Sequence, residues 1–462
     1  MAHQLTRSSR TGLGLAITLA ASSFGRASLA QWSPLTGEWG KDDPADIRVM
    51  TWNVGDALTS SNIKTEALNN WSGLAVVIAS VQPDIILFQE AGDNSGNGTG
   101  GGVDSPATLA LVVDLLMNGG SDPFRGGAVG AFVAAYAPGY TPPAHVFVSG
   151  ESDGFNRNVI VSRWPFADLN GDGIATRSDI PFVQNVSYAA GGDGGIRGFQ
   201  FVEIDLPDEV YAGDLVVGNA HLKAFGDASS MQQRENAARN VAFFIDHYYN
   251  GAGTTTPDPL GVISDAPQPT SILGDDTAVI IGGDWNEDEA TNGRKGPAEW
   301  LIRAQNTGGT DGTDRDRTDS TFDAATNPIT GDPDTRGGSK LDYLAWQDAV
   351  VTQRRAWIFD TTTLNSVNAP PAIFAFPIPN FVLQFSGVAS DHLPVVADFT
   401  APLAPACASD INGDGVVNGG DVSNILNVFG ATGAALPEDL NNDGVVNGGD
   451  ISSVLNTFGP CP

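Results

Sequence analysis

A polar segment with residues suited to phosphate or metal chemistry follows a β-branched apolar run at residues 277–281. The run predicts a buried strand that stops abruptly, and Gly282 and Gly283 would allow a turn in which a Cβ atom would clash. Asp284 and Asn286 should then project from the strand end into a cleft. They offer a carboxylate and a neutral amide, a pair suited to a metal ion beside a phosphate. For this segment alone, an ordinary surface loop is the simpler alternative.

Polar residues also stand at or just after the ends of other predicted strands. Period-two or continuous apolar runs predict strands at residues 46–54, 85–88, 158–162, 199–204, 215–219, 341–346 and 394–399. Carboxylates, amides and histidines lie near these strands: Asn53, Glu90, His221, Asp342, Asp391 and His392. Each could be a solvent-facing or turn residue. Because two of only five histidines fall in this set, we interpret the set as one site.

Helices and long loops separate these strands. Apolar residues at three- and four-residue steps predict helices at residues 68–81, 108–117 and 232–249. Two long segments, residues 251–276 and 308–338, are predicted to be unstructured, and loops of that length are usually functional or disordered. The mixture favours an α/β sandwich over a regular doubly wound sheet.

Composition limits the possible architectures and partners. The chain has 462 residues, enough for one large domain and a smaller one. Its 23 basic and 54 acidic residues give a net charge of −31. This charge argues against a basic nucleic-acid-binding stripe and indicates bound cations.

The N-terminus is typical of a secretory signal peptide. Arg7 and Arg10 precede an apolar stretch at residues 12–24, and small residues at 28–30 fit a signal-peptidase site after Ala30. A membrane anchor would need a longer apolar run. We therefore expect residues 1–30 to be removed and the mature protein to be secreted, with no transmembrane segment.

The motifs at these strand ends resemble the endonuclease/exonuclease/phosphatase superfamily, which includes DNase I-like nucleases, neutral sphingomyelinases and inositol-polyphosphate phosphatases. Their order and spacing over residues 46–400 carry the resemblance: Thr51-Trp52-Asn53-Val54, Gln89-Glu90, Arg157-Asn158, Asn219-Ala220-His221-Leu222, Gly283-Asp284-Trp285-Asn286, Leu341-Asp342-Tyr343 and Ser390-Asp391-His392-Leu393-Pro394. It implies a catalytic domain at residues 31–400, folded as a four-layer α/β sandwich of two packed mixed sheets flanked by helices.

The resemblance also implies metal-dependent hydrolysis of a phosphoester. Glu90 would be the main ligand of Mg²⁺ or Mn²⁺, and Asn53 and Asp391 would complete or support its shell. Arg157 and Asn158 are the implied contacts to the substrate.

Five residues have implied catalytic roles. His392 would be the general base for water, and Asp342 would fix its tautomer. Asp284 and Asn286 would position the nucleophile and the scissile phosphate. His221 would stabilise charge in the transition state or help to protonate the leaving oxygen. The acid and base roles of the two histidines stay open.

The substrate is less defined. A nuclease or phosphodiesterase would benefit from the basic residues in the second half of the chain, which are equally consistent with scattered solvated charges: Arg294, Lys295, Arg315, Arg317, Arg336 and Lys340. A sphingomyelinase-like enzyme could dock on membranes through residues 370–379, although buried packing is the simpler explanation. An inositol- or sugar-phosphate phosphatase is a further alternative. In a different class, the chain would be a catalytically dead exported binding protein, but retention of both His392 and Asp342 argues against that.

The C-terminus contains a duplicated loop with the ligand spacing of EF-hand calcium loops. Residues 410–421 recur as residues 439–450, and each copy places oxygen-bearing side chains at loop positions one, three, five, nine and twelve, with glycine at position six for the sharp turn. The predicted calcium ligands are Asp410, Asn412, Asp414, Asn418, Asp421, Asp439, Asn441, Asp443, Asn447 and Asp450. The repeat resembles a type I dockerin module, which implies a small all-α calcium-binding domain at residues 410–462 after a linker at 401–409. It also implies a cohesin-like or cell-surface partner.

Apolar residues follow each repeat at helical spacing and are expected to pack together: Val422, Ile425, Leu426, Phe429, Ile451, Val454, Leu455 and Phe458. Cys407 and Cys461 bracket the repeats, and in an exported protein they should form a disulfide instead of two free thiols.

A third segment with the same ligand spacing lies inside the catalytic domain. Its ligands would be Asp168, Asn170, Asp172 and Asp179. It lacks a partner loop, so the alternatives are a structural calcium site and an isolated Asp/Gly-rich turn.

Overall fold

The computed structural model describes residues 32–60, 64–92, 103–122, 124–152, 154–169, 171–180, 198–208, 210–244, 264–266, 277–301, 320–377, 383–404, 407–433, 436–441 and 443–461. Several predictions fall outside these residues: the signal peptide, the end of the third predicted helix, Asn170, Arg315, Arg317, residues 405–406 of the linker, and large parts of the two long loops.

The strands are β1 (Trp32–Ser33), β2 (Glu38–Trp39), β3 (Ile47–Asn53), β4 (Ile85–Ala91), β5 (Gly120–Ser121), β6 (Ala128–Val129), β7 (His145–Val148), β8 (Arg157–Ser162), β9 (Arg177–Ile180), β10 (Phe199–Ile204), β11 (Leu215–His221), β12 (Ser264–Ala266), β13 (Ala278–Asp284), β14 (Ser320–Phe322), β15 (Asp342–Gln347), β16 (Thr352–Ile358), β17 (Val395–Thr400), β18 (Val416–Val417) and β19 (Gly459–Pro460). The helices are α1 (Ala57–Ser60), α2 (Asn70–Val81), α3 (Pro106–Asn118), α4 (Phe132–Tyr136), α5 (Ala228–Phe244), α6 (Pro297–Leu301), α7 (Pro371–Ala375), α8 (Phe385–Ala389), α9 (Gly419–Asn427) and α10 (Gly448–Asn456).

Two mixed sheets form the centre of the fold. One is six-stranded in the order β16-β17-β3-β4-β8-β7, and the other is seven-stranded in the order β12-β9-β10-β11-β13-β15-β14. Each contains a parallel pair, β3 with β4 and β11 with β13, between antiparallel neighbours. Because these pairs are parallel, the carboxyl ends of their strands lie at the same edge of each sheet.

Alternation along the strands places apolar residues in successive layers. In β4, Ile85 and Leu87 pack between the two sheets, whereas Ile86 and Phe88 pack under α2 and α3. On the far side of the seven-stranded sheet, Val279 and other residues pack against α5 and α6. The order helices, sheet, sheet, helices confirms the predicted mixed α/β fold with two packed sheets.

The two glycines before Asp284 have a different role from the one predicted. They do not form a turn after the strand, because β13 continues through both of them to Asp284. A Cβ atom on Gly282 would lie 2.7 Å from side-chain carbons of Leu87 and Leu344. Gly283 has a φ of +154°, and a Cβ atom there would lie 1.8 Å from the carbonyl oxygen of Ala220. The glycines therefore permit close approach of strands and sheets instead of a change of direction.

Parts of the predicted loops contain regular structure. β12 lies within the segment 251–276, and β14 lies within 308–338, so neither segment is wholly unstructured. β14 pairs with β15 at the edge of the seven-stranded sheet. Short strands such as these lack the long apolar period on which the sequence-based prediction depended.

The C-terminal repeats have a small core of their own. Val417, Ile425, Val446 and Val454 are buried together, and the predicted Cys407–Cys461 disulfide is formed beside them. β18 pairs with β19 in addition to the two helices, so the segment is not purely α-helical. The two repeats therefore pack together as expected. Four of the apolar residues that follow them do not take part in this core and are between 54% and 58% exposed: Leu426, Phe429, Leu455 and Phe458.

None of the helices in the described ranges is long and apolar enough to cross a bilayer.

A buried ion pair joins two neighbouring strands of the six-stranded sheet, β3 and β17, and its arginine also contacts the end of α2. Arg48 in β3 donates from Nε and Nη2 to the carboxylate of Asp398 in β17, at 2.7 and 2.9 Å. Its Nη1 donates to the carbonyl oxygens of Trp39 and Val81. Since every contact is desolvated, removal of one partner would leave a buried charge uncompensated.

We therefore expect Asp398→Ala to lower the free energy of unfolding by about 3–5 kcal/mol. Guanidinium denaturation followed by tryptophan fluorescence measures this difference. Asp205→Ala is the control, because Asp205 is an exposed acidic residue and its loss should change stability by no more than about 0.5 kcal/mol. Equal effects of the two substitutions would contradict the importance of the buried pair.

Candidate active site

The two parallel strand pairs deliver polar residues to one place. β3 ends at Asn53, β11 at His221 and β13 at Asp284, and His221 and Asp284 are register partners. β3 packs on β13 and β4 packs on β11 across the interface between the sheets. The carboxyl ends of four central strands therefore meet, and their polar residues face one another.

Glu90 reaches this place through an irregularity in β4. The pairing of β4 with β8 shifts register between Phe88 and Ala91, and Glu90 has a φ of +53°. A left-handed backbone at a non-glycine residue is uncommon and costs free energy. Here it redirects the Glu90 side chain from the sheet toward the strand ends.

Asp284 is the centre of the resulting cluster. Its Oδ2 atom lies 3.4 Å from His221 Nε2 and 3.6 Å from His392 Nε2. Asn53 donates from Nδ2 to the same oxygen at 2.9 Å and to Glu90 Oε1 at 3.1 Å. His221 Nε2 is also 3.8 Å from Glu90 Oε1. Four predicted residues, Asn53, Glu90, His221 and His392, thus lie around the buried carboxylate of Asp284. Asp342 joins this cluster through its contact with His392.

His392 and Asp342 form a buried pair. His392 Nδ1 and Asp342 Oδ2 are 2.8 Å apart, which leaves Nε2 of the imidazole directed toward Asp284. The indole of Trp52 donates to the carbonyl oxygen of His392, and Ser390 donates to that of Asn53. The neighbouring strand β3 therefore fixes the loop that carries His392.

Burial and mutual charge shift the pKa values of this cluster. Burial, followed by the charge of Asp342, raises the pKa of Asp284 to about 7, although His392 opposes the shift. Burial alone would lower the pKa of His392, but the carboxylates of Asp342 and Asp284 outweigh it and raise the pKa to about 9. The Asp284 carboxylate and the His392 imidazole therefore compete for protons near neutral pH.

These donors form two overlapping sets that could hold a metal ion. Glu90, His221 and Asp284 place one ligand atom each within 4.8 Å of one another, and so do Asp284, Asp342 and His392. Carboxylate oxygens are the ligands that Mg²⁺ and Mn²⁺ prefer. Asn53 keeps its Oδ1 on the amide of Gly55 and its NH₂ on the carboxylates, so in this arrangement it orients Glu90 and Asp284.

Asp391 lies apart from both sets. Its carboxylate is 60% exposed and accepts from Nε and Nη2 of Arg336, at 2.9 and 2.5 Å. The charge of Arg336 also acts on Asp284 and Glu90, which places this guanidinium at the rim of the site. Asp391 thus pairs with Arg336 in this arrangement, and its place in the metal shell stays a prediction.

The guanidinium of Arg157 donates to backbone carbonyl oxygens. Its Nε donates to the carbonyl oxygen of Asp104, and its Nη1 lies within hydrogen-bond distance of those of Ser149, Gly150 and Glu151. These contacts brace two loops, and they do not support the predicted contact to a phosphate.

Asn158 and Asn286 lie on segments next to the cluster, and their roles toward a substrate stay predictions. The side-chain amide of Asn158 is buried beside the irregularity at Glu90, and among the described residues neither its nitrogen nor its oxygen has a hydrogen-bond partner. An unpaired buried amide is costly unless a ligand satisfies it. Asn286 donates to the carbonyl oxygen of Leu222, and its backbone amide donates to Asp284 Oδ1.

Two motif residues act beneath the site. Gln89 donates to Thr51 Oγ1 and Asn219 Oδ1, and Asn219 donates to the carbonyl oxygens of Phe88 and Val159. These contacts cross from one sheet to the other and fix their relative position. Sequence reasoning overlooked Thr335, whose hydroxyl accepts from the amides of Leu341 and Asp342, because no period or motif marks it.

Two of the other predicted basic residues are paired with buried carboxylates. Arg294 pairs with Glu287, and Lys340 pairs with Asp323. Neither of these two is as exposed toward solvent as Arg336, whose side chain is 47% exposed.

A cavity of about 570 Å³ lies at the opposite ends of β3 and β4, between Trp39, Arg48, Asp84 and Tyr140. Asp84 in this cavity accepts from Lys41, Arg163 and the amide of Arg48. The charges of Asp84, Lys41 and Arg163 therefore compensate one another. None of the motif residues lines this cavity.

The calcium-type loop inside this domain differs from the two at the C-terminus. Asp421 and Asp450, at the twelfth position, accept from backbone amides of their own loops. Asp179, at the same position of the internal loop, lies in β9 and accepts from Ser149 Oγ and the amide of Gly150. Strand pairing therefore holds Asp179 away from its loop, whereas Asp168 accepts from the amide of Asp172 as Asp410 does from that of Asp414. Calcium binding by this loop stays a prediction, because Asn170 lies outside the described residues.

Comparison with known proteins finds solved structures of the endonuclease/exonuclease/phosphatase family. Such a protein from Beutenbergia cavernae DSM 12333 is 19% identical, with a TM-score of 0.42, over 77% of this chain and 72% of that one. D. rerio TDP2 in complex with a single-strand DNA product is 13% identical, with a TM-score of 0.39, over 78% and 100%. The catalytic domain of human nocturnin with bound sulfate is 14% identical, with a TM-score of 0.37, over 77% and 95%.

No family model and no curated protein matches the chain. Identities and TM-scores this low do not assign an activity to it.

The pairing of His392 with Asp342 generates a testable pKa. Because the carboxylate stabilises the imidazolium, Asp342→Asn should lower the pKa of His392 from about 9 by at least one unit. An NMR titration of the histidine resonances in EDTA measures this value, and His392→Gln assigns the resonance. Asp205→Asn is the control. An unchanged His392 titration in Asp342→Asn would contradict the pairing.

Proposed function

We propose that this protein is an exported, divalent-metal-dependent phosphodiesterase that cuts nucleic acid. The observation that carries the proposal is the single carboxylate oxygen of Asp284, which faces two histidines and the Asn53 amide, with Glu90 beside it. A hard cation neutralises such clustered carboxylates, and imidazoles at its side can move protons. The resemblance of the motifs to the endonuclease/exonuclease/phosphatase superfamily supports the same chemistry.

The cation would be held by Glu90 and Asp284, with Asn53 orienting both carboxylates. When bound, Mg²⁺ or Mn²⁺ supplies positive charge to a phosphate oxygen and makes phosphorus easier to attack. While the charge of Asp284 is not offset, His392 has a pKa of about 9 and is an imidazolium at neutral pH. With that charge offset at the metal site the pKa would fall. His392 Nε2 would then accept the proton of the attacking water, and Asp342 would stabilise the imidazolium that forms. His221, on the other side of Asp284, stabilises developing charge on the phosphate or donates a proton to the leaving oxygen.

Two groups are positioned to contact the phosphodiester itself. The unpaired amide of Asn158 offers a donor in a dry environment, where a hydrogen bond to phosphate oxygen is strong. Arg336 offers an exposed guanidinium at the rim, held by Asp391. With a net charge of −31, the protein depends on such local cations to capture a polyanion.

The alternative of a lipid substrate gains no support from the predicted docking segment. Ala372, Ile373 and Phe376 in and after α7 are buried in the helical layer, so the described part of this segment contributes to the core, although Phe374 is 51% exposed.

We further propose that the C-terminal segment is a calcium-dependent docking module for a cohesin-like or cell-surface partner. Its two loops have matching hydrogen bonds: Asp410 and Asp439 accept from the amides of Asp414 and Asp443 in the same way. The exposed residues after the loops are also duplicated, Leu426 and Phe429 in one repeat and Leu455 and Phe458 in the other. Apolar side chains exposed in this way are typical of interaction surfaces.

Nicking of supercoiled plasmid tests the enzymatic proposal. We expect nicking by the purified protein in Mg²⁺ or Mn²⁺, none in EDTA, and a loss of at least about 100-fold in His392→Ala. His145→Ala is the matched control, since His145 lies in β7 and outside the site. It should retain the activity of the unsubstituted protein.

Activity that survives His392→Ala would show a contaminant or a wrong site. Absence of nicking with every metal would overturn the nuclease proposal in favour of phospholipids, small phosphoesters or a catalytically dead binding protein.

Calorimetric titration with calcium tests the module. Asp410→Ala combined with Asp439→Ala should remove two binding sites from the full-length protein, because both residues fix their loops. Asp172→Asn should remove none, because Asp179 is held by Ser149 away from the internal loop. Loss of a site in Asp172→Asn would show that the internal loop does bind calcium.

A further inference from the structure

Phe225 combines an unfavourable backbone conformation with an exposed aromatic ring. Five non-glycine residues in the described ranges have positive φ angles: Asp56, Gln82, Glu90, Phe225 and Asn286. Gln82 is the C-cap of α2, Glu90 and Asn286 belong to the site, and the amide of Asp56 donates to the carbonyl oxygen of Glu90. Phe225 has a φ of +81° and is 73% exposed, so burial does not offset its strain.

A buried arginine holds this conformation. Arg234 in α5 donates from Nη1 to the carbonyl oxygens of both Lys223 and Phe225, at 2.7 Å each. Its Nε donates to Glu287 Oε2, also at 2.7 Å. Both charged side chains are almost fully buried. The fold therefore uses a desolvated ion pair to fix a loop whose outermost side chain makes little packing of its own.

The loop begins at the catalytic cluster. His221 faces Asp284, and the next residue, Leu222, donates from its amide to the carbonyl oxygen of Asp284. Leu222 also accepts from the side chain of Asn286. Three peptide units place the Cα atom of Phe225 at most about 11 Å from that of Leu222. Since Arg234 ties the loop to Glu287, directly after Asn286, the ring lies at the rim of the site.

We propose that Phe225 is a stacking platform for a nucleobase of the substrate, next to the phosphate that is cut. This role rests on the proposed phosphodiesterase function and deepens it, because it assigns the substrate class. A flat aromatic ring that is exposed and immobilised stacks on bases of any sequence at little entropic cost. Lys223, with Nζ 5.5 Å from the ring centroid, adds a positive charge beside the platform for an adjacent phosphate.

A purely structural role does not account for the residue. Glycine at position 225 would adopt this φ without strain. The loop is also open at the next residue, since a Cβ atom on Gly226 would meet nothing within 4 Å. The site therefore retains an aromatic side chain where stability alone favours glycine. Strain that persists beside a catalytic cluster is a feature of functional positions.

Two single-stranded oligonucleotides of equal length test the proposal, one of thymidines and one in which abasic residues replace them. We expect kcat/KM for the thymidine strand to exceed that for the abasic strand by about ten-fold. Phe225→Leu should reduce this ratio to nearly one, and Phe225→Trp should preserve it. Phe374→Leu is the matched control, because Phe374 is also an exposed phenylalanine but lies in α7.

Thermal unfolding separates this role from a structural one. Phe225→Gly should not lower Tm, because it relieves the backbone strain, yet it should abolish the preference for bases. A ratio unchanged in Phe225→Leu, or a lowered Tm in Phe225→Gly, overturns the stacking role and leaves the phosphodiesterase proposal intact. Failure of the unsubstituted protein to cut either strand overturns both.

Discussion

The active site depends on one electrostatic constraint, the burial of the Asp284 carboxylate where two sheets meet. A carboxylate there is tolerated only if opposite charge or hydrogen-bond donors surround it. Asn53, His221 and His392 supply those donors from three other strands or loops. Because Asp342 and Glu90 add further negative charge, the cluster remains short of positive charge. Its arrangement therefore favours a bound cation or, without one, a protonated imidazole.

Close packing of the sheets makes this convergence possible. Gly282 allows Leu87 and Leu344 to approach from the two sheets, and Gly283 allows β11 to lie against β13. Gln89 and Asn219 then connect the sheets by hydrogen bonds just below the site. A larger side chain at either glycine would separate the strand ends by more than a hydrogen bond can span. The geometry of the site is thus set by backbone packing at the two residues before Asp284.

Buried cations organise the loops of this acidic protein. Arg48 joins β3 to β17, Lys340 fixes the segment before Asp342, and Arg234 holds the loop of Phe225 against Glu287. Each uses its remaining donors on backbone carbonyl oxygens. A cation with several backbone partners fixes a loop better than a surface ion pair, because water and salt do not screen it. The protein has few basic residues, and these three lie where loops must be rigid.

The sequence by itself determined the mixed α/β fold, most strands, the paired cysteines, and which residues would meet. Apolar period and motif spacing are local properties, so Asn53, Glu90, His221, Asp284, Asp342 and His392 could all be identified in advance. Only the tertiary structure decided how several side chains are used. Arg157 serves backbone carbonyls, Asp391 serves Arg336, and Asp179 is drawn into β9. Phe225 and Arg234 carry no motif at all. A side chain's partner depends on which distant segments the fold places beside it, and no local pattern encodes that.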